Sequence, residues 1–336
     1  MAKKTIFITW TTYSPHSLLL SKAFNSEIFY INNLINSRGV LWNLFFLFDY
    51  FYKSFKTIKV INEQKPDVVV MQNPPTITPL VIVLYSFIRK FKTVIDSHNG
   101  AFEKPWDRIP FYGWILKNAD IVIVHNEHLL SKLLQVKKYK GVNFKILNSR
   151  LSDYSHIRKS ESDAQPYILV VTTFSGDEPM DILLKGIRLY NESENKINIK
   201  FKITGKYSKR PYLFEEYKND ENIEFLGFIP TETYESLLVN SLGMISLSTR
   251  DDVQQFALME AIGAEVPFIS NNNKTNRQLF GDMVILFENE PESIKDSIHK
   301  AITKHETYAN NVIFLKNSLQ TKWLENFLII KNHLIL

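Results

Sequence analysis

Asp67-Val68-Val69-Val70-Met71, then Thr76 to Lys90, then Thr93-Val94-Ile95-Asp96 decide the fold. The first run is continuously apolar, the pattern of a strand buried on both faces of a parallel sheet. The second has helical spacing, and the third is again a short apolar run. Upstream, Thr5 to Trp10 reads as a strand, His16 to Phe24 as a helix, Glu27 to Ile31 as a strand and Leu41 to Asn62 as a long amphipathic helix. Downstream come a helix over Ile109 to Asn118, a strand over Asp120 to Val124, a helix over Glu127 to Gln135 and a strand over Asn143 to Leu147. Such alternation predicts an α/β fold built on a doubly wound parallel sheet.

Serine and charge break the pattern over residues 149–165, which end on Asp163-Ala164-Gln165-Pro166. The alternation then restarts, with strands expected at Tyr167 to Val171, Lys200 to Thr204, Ile223 to Phe225, Gly243 to Leu247, Pro267 to Ile269 and Met283 to Leu286. Two Rossmann-like units in tandem follow. Ligands of such sheets bind beyond the carboxyl ends of the strands, so the expected site lies in a cleft between two facing sheets. The apolar helical segment Ser318 to Leu336 is expected to pack back toward the first domain.

Composition narrows the chemistry. The 336 residues suit two domains. Cysteine is absent, which excludes disulfides, thiolate catalysis and thiolate metal sites. The start, Met1-Ala2-Lys3-Lys4, lacks the apolar core of a signal peptide. No apolar stretch reaches the ~20 residues that span a bilayer. Residues 1–150 hold 20 Lys+Arg and 9 Asp+Glu, a charge of +11, and the remainder carries −6, for the overall +5. A basic first half is expected to face something anionic. Its basic residues are spread over many elements and form no recognition helix, so an anionic membrane surface is expected rather than nucleic acid. Leu41 to Lys59 interleaves Trp42, Phe45, Phe46, Phe48, Tyr50, Phe51, Tyr52 and Phe55 with Lys53, Lys56 and Lys59. One face of this helix is expected to pack and the other to touch the bilayer interface. No metal cluster is evident: Asp251-Asp252 and Asp177-Glu178 lack histidines at ligand spacing.

Asp252-Val-Gln-Gln-Phe-Ala-Leu-Met-Glu260, continuing to Gly263 and Pro267, carries the strongest motif. It resembles the paired-acid element of glycosyltransferases of the GT-B fold. Phe201-Lys-Ile-Thr-Gly205-Lys206 and Asn222-Ile-Glu-Phe-Leu-Gly227-Phe228-Ile-Pro230 resemble that fold's nucleotide-approaching turn and base-holding stretch. With Gln72-Asn73-Pro74-Pro75 and Ile95-Asp96-Ser97-His98-Asn99, the pattern is similar to family 4-type bacterial polysaccharide glycosyltransferases and to the eukaryotic chitobiosyldiphosphodolichol beta-mannosyltransferases.

The resemblance implies an acceptor-binding domain over 1–150, a linker over 151–165, a nucleotide-sugar-binding domain over 166–317 and a closing helix over 318–336. It implies transfer of a sugar from a UDP- or GDP-sugar to a saccharide acceptor, lipid-diphosphate-linked, at the cytoplasmic face of a membrane during polysaccharide biosynthesis. No cofactor and no metal is implied. The helix after Gln254-Gln255-Phe256 offers free N–H groups to the donor diphosphate, and Glu260 accepts from the ribose hydroxyls. Asp252, one methylene shorter than the usual Glu, is placed toward the sugar. Thr172, Thr173, Gly205, Lys206, Phe228, Gln255, Phe256 and Ala257 complete the expected donor site. His98 is expected to take the acceptor hydroxyl's proton in an inverting reaction, or to bond the donor in a retaining one. Thr12, Ser14, Asn73 and Asn99 are expected to line the acceptor. Thr12 and Ser14 read equally as a turn and a helix cap, and Asn73 and Asn99 as turn residues. Residues 270–278 read as a helix-poor loop. A GT-B sugar-nucleotide epimerase or a non-catalytic GT-B partner subunit are the alternatives; a partner subunit would release no nucleotide from a donor.

Overall fold

The computed structural model describes residues 3–34, 40–159 and 165–335, leaving aside the side chains of 40–45 and 335. Asp163 and Ala164 of the expected linker, and the side chains of Trp42 and Phe45, lie outside the described residues. The chain divides into two compact units, Met1–Arg150 with Lys322–Leu336, and Leu151–Thr321.

The first unit runs β1 (Thr5–Thr9), α1 (Pro15–Ala23), β2 (Glu27–Tyr30), α2 (Val40–Gln64), β3 (Val68–Asn73), α3 (Ile77–Arg89), β4 (Lys92–Ser97), α4 (Tyr112–Asn118), β5 (Ile121–Val124), α5 (Glu127–Leu134) and β6 (Phe144–Ile146). Its sheet is six-stranded, ordered β2-β1-β3-β4-β5-β6 and parallel at every pairing. The apolar runs are buried because helices cover both faces. Ile6, Ile8, Val69, Met71 and Ile95 pack on one side with Ile82, Ile115 and Leu129. Phe7, Val68, Val70, Val94, Ile121 and Ile123 pack on the other with Trp323, Phe327, Ile330 and Leu334. Two asparagine and serine caps start the helices that bring site residues: Ser14 accepts from Ser17 N at 3.2 Å, and Asn126 from Leu129 N at 2.7 Å. Each cap is worth about 1 kcal/mol.

The second unit runs β7 (Tyr167–Val170), α6 (Met180–Glu192), β8 (Lys200–Thr204), α7 (Pro211–Tyr217), β9 (Ile223–Gly227), α8 (Thr231–Val239), β10 (Gly243–Ile245), α9 (Phe256–Gly263), β11 (Phe268–Asn271), α10 (Lys274–Phe280), β12 (Ile285–Phe287) and α11 (Pro291–Thr303). A last helix, α12 (His305–Ile335), begins in this unit. The strand order β12-β11-β10-β7-β8-β9 is again all parallel. The order reverses between β7 and β10, which makes the loops after those two strands the expected ligand crevice.

Two expectations are corrected. Residues 270–278 are not helix-poor: Lys274–Phe280 is α10, capped by Asn273, whose side chain accepts from Asn276 N at 2.7 Å. Lys53 is not an interfacial cation. It is 4% exposed, 2.8 Å from buried Asp49 one turn away. The outward side of α2 carries Phe48, Phe51 and Phe55 at 66%, 73% and 67% exposure, with Lys59 also exposed. Among the described residues no helix is long and apolar enough to cross a membrane.

Candidate active site

In the second unit the site grows from the loop after β7. Glu178 turns back into it and fills a nest of donors. Thr172 Oγ1 donates at 2.6 Å, Thr173 N at 3.0 Å and Ser175 N at 2.9 Å to Oε2, and Thr173 Oγ1 donates to Oε1 at 3.2 Å. The hydroxyls of Thr172 and Thr173, expected to meet the diphosphate, are thus engaged by this carboxylate. Asp177 ties the same loop to the one after β10. Its carboxylate accepts from Ser175 Oγ at 2.6 Å and Ser248 Oγ at 2.7 Å, and its carbonyl accepts from Thr249 N at 2.9 Å. Burial would raise its pKa, but these donors and Arg250 hold it below the ordinary carboxylate value. Both sides of the switch point are therefore bound to one another.

The loop after β10 enters α9. Gln255 braces that entry against β10 and β11, its Nε2 donating to Ser246 Oγ at 3.1 Å and its Oε1 accepting from Ser270 Oγ at 3.1 Å. Asp252 lies 3.5 Å from the Arg250 guanidinium. Phe256 and Ala257 are half-buried in the first turn of α9. One turn on, Glu260 receives hydroxyls from Tyr234 (2.8 Å to Oε2) and Tyr154 (3.4 Å to Oε1). Burial raises the Glu260 carboxyl to about 7, against the pull of the two tyrosines. Gly263 explains how Tyr154 gets there. A Cβ at 263 would stand 2.4 Å from the Ser152 carbonyl oxygen, so only glycine lets that segment lie across α9. Gly205, at φ +98°, closes the turn after β8. Lys206 and Phe228 are exposed on the neighbouring loops, Phe228 at 77%.

In the first unit, the carboxyl end of the sheet gathers groups far apart in sequence. Asp96, at the end of β4, is fully buried. His16 Nε2 lies 3.2 Å from its Oδ2, His98 Nε2 3.5 Å from Oδ2, and His125 Nε2 3.1 Å from Oδ1. His16 comes from the first turn of α1, His98 from the loop after β4, His125 from the end of β5. The His125 Nδ1 lies 2.9 Å from the Leu147 carbonyl and must donate to it, since a carbonyl only accepts. Its Nε2 faces Asp96, whose negative charge favours a positive charge on the ring. Burial opposes that charge, yet Asp96 outweighs it and raises the His125 pKa. Burial lowers His16 to about 4, so it stays neutral. Burial also works against the Asp96 charge, but its histidines hold it well below the usual carboxylate range.

The structure thus gathers three histidines and one aspartate whose candidate ligand atoms lie within 4.8 Å of one another, where the sequence showed no metal cluster. Spacing could not reveal it, because positions 16, 96, 98 and 125 meet only through parallel strand order. The legible signal was a histidine ending a buried strand, at His125 as at His98. Asn73, expected at the acceptor or in a turn, ends β3 as a strut. It is fully buried, its Nδ2 donates to Ser97 Oγ (3.2 Å) and Tyr112 OH (3.0 Å), and its Oδ1 accepts from Thr76 (3.3 Å). Thr12 is exposed, Ser14 caps α1, and Asn99 is half-buried at the start of a short turn.

Residues 154–313 match the family model for glycosyl transferases group 1. Over 240 residues the chain is 25% identical to the chitobiosyldiphosphodolichol beta-mannosyltransferase of Candida albicans, an alignment covering 61% of this chain and 52% of that protein. The chain therefore spans about half the length of that curated relative. Among solved structures, Anabaena HepE in complex with UDP and glucose superposes with a TM-score of 0.73 at 14% identity over all of both chains. Sucrose-phosphate synthase from Thermosynechococcus elongatus gives 0.72 at 11% identity over 98% of each. The chain has the GT-B glycosyltransferase fold, and its residues 154–313 match the glycosyl transferases group 1.

Proposed function

We propose that the chain transfers a sugar from a nucleoside-diphosphate sugar to a membrane-held saccharide acceptor of the lipid-diphosphate type. The observation that carries the donor side is Glu260. Its carboxylate sits one turn inside a helix that opens at the sheet's switch point, within the matched family domain. A carboxylate offers about four lone pairs. Two tyrosines take one on each oxygen, which leaves one on each for the paired hydroxyls of a ribose. The first turn of α9 offers N–H groups to the diphosphate, and Lys206 supplies a cation on the adjoining loop. HepE was solved with UDP and glucose, which agrees with such a donor.

On the acceptor side the reading takes the saccharide to the carboxyl end of β4, where His98 is the most open member of the Asp96 cluster at 33% side-chain exposure. The lipid portion is assigned to the aromatic side of α2, and the basic first unit to an anionic inner leaflet. The chain then works as a peripheral protein at a cytoplasmic membrane face, in polysaccharide biosynthesis.

A thermal-shift panel of UDP, GDP, CMP and ADP tests the donor side. A selective ligand at a hundredfold excess over its Kd adds ~2.7 kcal/mol of stability. A rise with UDP or GDP alone is expected and names the donor class; a flat response to all four counts for a non-catalytic partner. Co-sedimentation with anionic vesicles tests the membrane side. Each exposed phenylalanine that enters the interface contributes about 1.5–3 kcal/mol at full burial, so Phe51→Ser with Phe55→Ser is expected to weaken binding at least about tenfold. Equal binding by the double variant would remove α2 from the membrane role.

A further inference from the structure

We propose that His16, Asp96, His98 and His125 form a binding site for a divalent cation of the zinc type. The inference does not rest on the transfer reading, since the ligand set stands on its own geometry. Zinc bound by imidazole nitrogen and carboxylate oxygen at about 2.0–2.1 Å has neighbouring tetrahedral ligand atoms about 3.3 Å apart. The imidazole-to-carboxylate distances are 3.2 Å (His16) and 3.5 Å (His98) to Oδ2 and 3.1 Å (His125) to Oδ1. All four ligand atoms, one per residue, lie within 4.8 Å of one another, so closing by at most about 1.5 Å completes a four-ligand cage.

Direction separates this cage from a plain hydrogen-bonded cluster. Both oxygens of Asp96 are buried, and neither is met by a donor in hydrogen-bonding geometry; the Nε2 atoms of His98 and His125 are likewise buried and off the hydrogen-bond direction. These two nitrogens thus meet the carboxylate by charge and not along hydrogen-bond directions, an arrangement that a shared cation resolves.

The surroundings supply what metal-binding histidines need. His125 donates Nδ1–H to the Leu147 carbonyl, which fixes the tautomer that turns Nε2 toward the cage. His98 is anchored through its backbone N–H to the Asn73 carbonyl at 2.8 Å, and His16 by the capped first turn of α1. Three nitrogens and one oxygen suit zinc better than magnesium or calcium, which prefer all-oxygen sets. In the loaded cluster His98 is a ligand and not the proton acceptor that its place in the sequence suggested.

The test loads the full chain with zinc chloride, removes unbound metal by desalting and measures zinc per chain. About one is expected for the unaltered chain, and the site's Kd should weaken about a hundredfold or more in His125→Gln and in Asp96→Asn. His98→Gln, at the more open edge, serves where circular dichroism shows a buried variant unfolded. Cobalt in place of zinc should give the visible bands of a four-coordinate ion, absent in the same variants. No retained zinc in the unaltered chain, or retention unchanged in folded variants, would overturn the proposal. Neither result touches the nucleotide response of the second unit, so the two readings fail separately.

Discussion

Glu260→Ala is expected to lower kcat/KM for the nucleotide-sugar by on the order of 10³-fold. Two hydrogen bonds from ribose hydroxyls to a carboxylate are worth about 1.5–3 kcal/mol each. Alanine also strands the Tyr154 and Tyr234 hydroxyls, which now donate to that carboxylate. Glu260→Gln separates the charge from the shape. Burial raises the Glu260 carboxyl from 4.5 to about 7. A raised folded-state pKa means a stability contribution fully present below about 4.5 and lost as pH rises through about 7. That loss is at most about 3.4 kcal/mol, by 1.36 kcal/mol per pKa unit. Donor affinity runs the other way, because hydroxyls bond best to the ionised group. Calorimetry with the donor sugar, whose diphosphate does not titrate here, should show affinity falling toward tenfold per pH unit below about 7. The glutamine variant should be more stable at pH 8, bind donor weakly and lose the pH slope. A glutamine variant that binds like the parent, with the slope intact, would remove Glu260 from the donor site.

The strands were legible because burial on both sheet faces demands unbroken apolar runs. Val68 to Met71 and Ile121 to Val124 are fully or almost fully buried, as their composition requires. The missed helix α10 shows the limit. Seven residues with polar side chains at Thr275 and Asn276, preceded by Asn273, look like a turn. They are buried because Asn276 Nδ2 bonds Ser270 Oγ and the Asn271 carbonyl, partners that only the fold supplies. Lys53 was misread for the same reason, since Asp49 and Asn33 bury its charge. The place of Glu260 one turn inside α9 was legible from local spacing, because motif and helix coincide. Tyr154, Tyr234, His16 and His125 reach their places by chain crossings of 26 to 109 residues' separation from Glu260 or from one another. Local periodicity carries no trace of such meetings.

Gly205→Ala should destabilise the second unit by about 3 kcal/mol and disable its donor loops together. At φ +98° an L side chain is strained, by about 1–2 kcal/mol. The new Cβ would also lie 2.0 Å from the Thr172 carbonyl oxygen and 2.8 Å from its carbon. These are backbone atoms, which cannot swing aside as a side-chain tip does, and overpacking of this kind costs about 1–3 kcal/mol. For a unit of this size the sum corresponds to a fall of roughly 6–12 °C in Tm. The strain would be relieved by moving Thr172, and Thr172 is part of the nest around Glu178, beside the Thr173 and Ser175 N–H groups. Nucleotide binding should therefore fall even where the variant stays folded. Gly100→Ala is the control, since a Cβ there meets nothing within 4 Å and should leave Tm unchanged. A Gly205→Ala protein with the parent's Tm and nucleotide affinity would mean that the β7 and β8 loops do not act as one body. The close approach of Gly205 to Thr172 would then be a packing detail, and the donor site would have to be assigned to α9 alone.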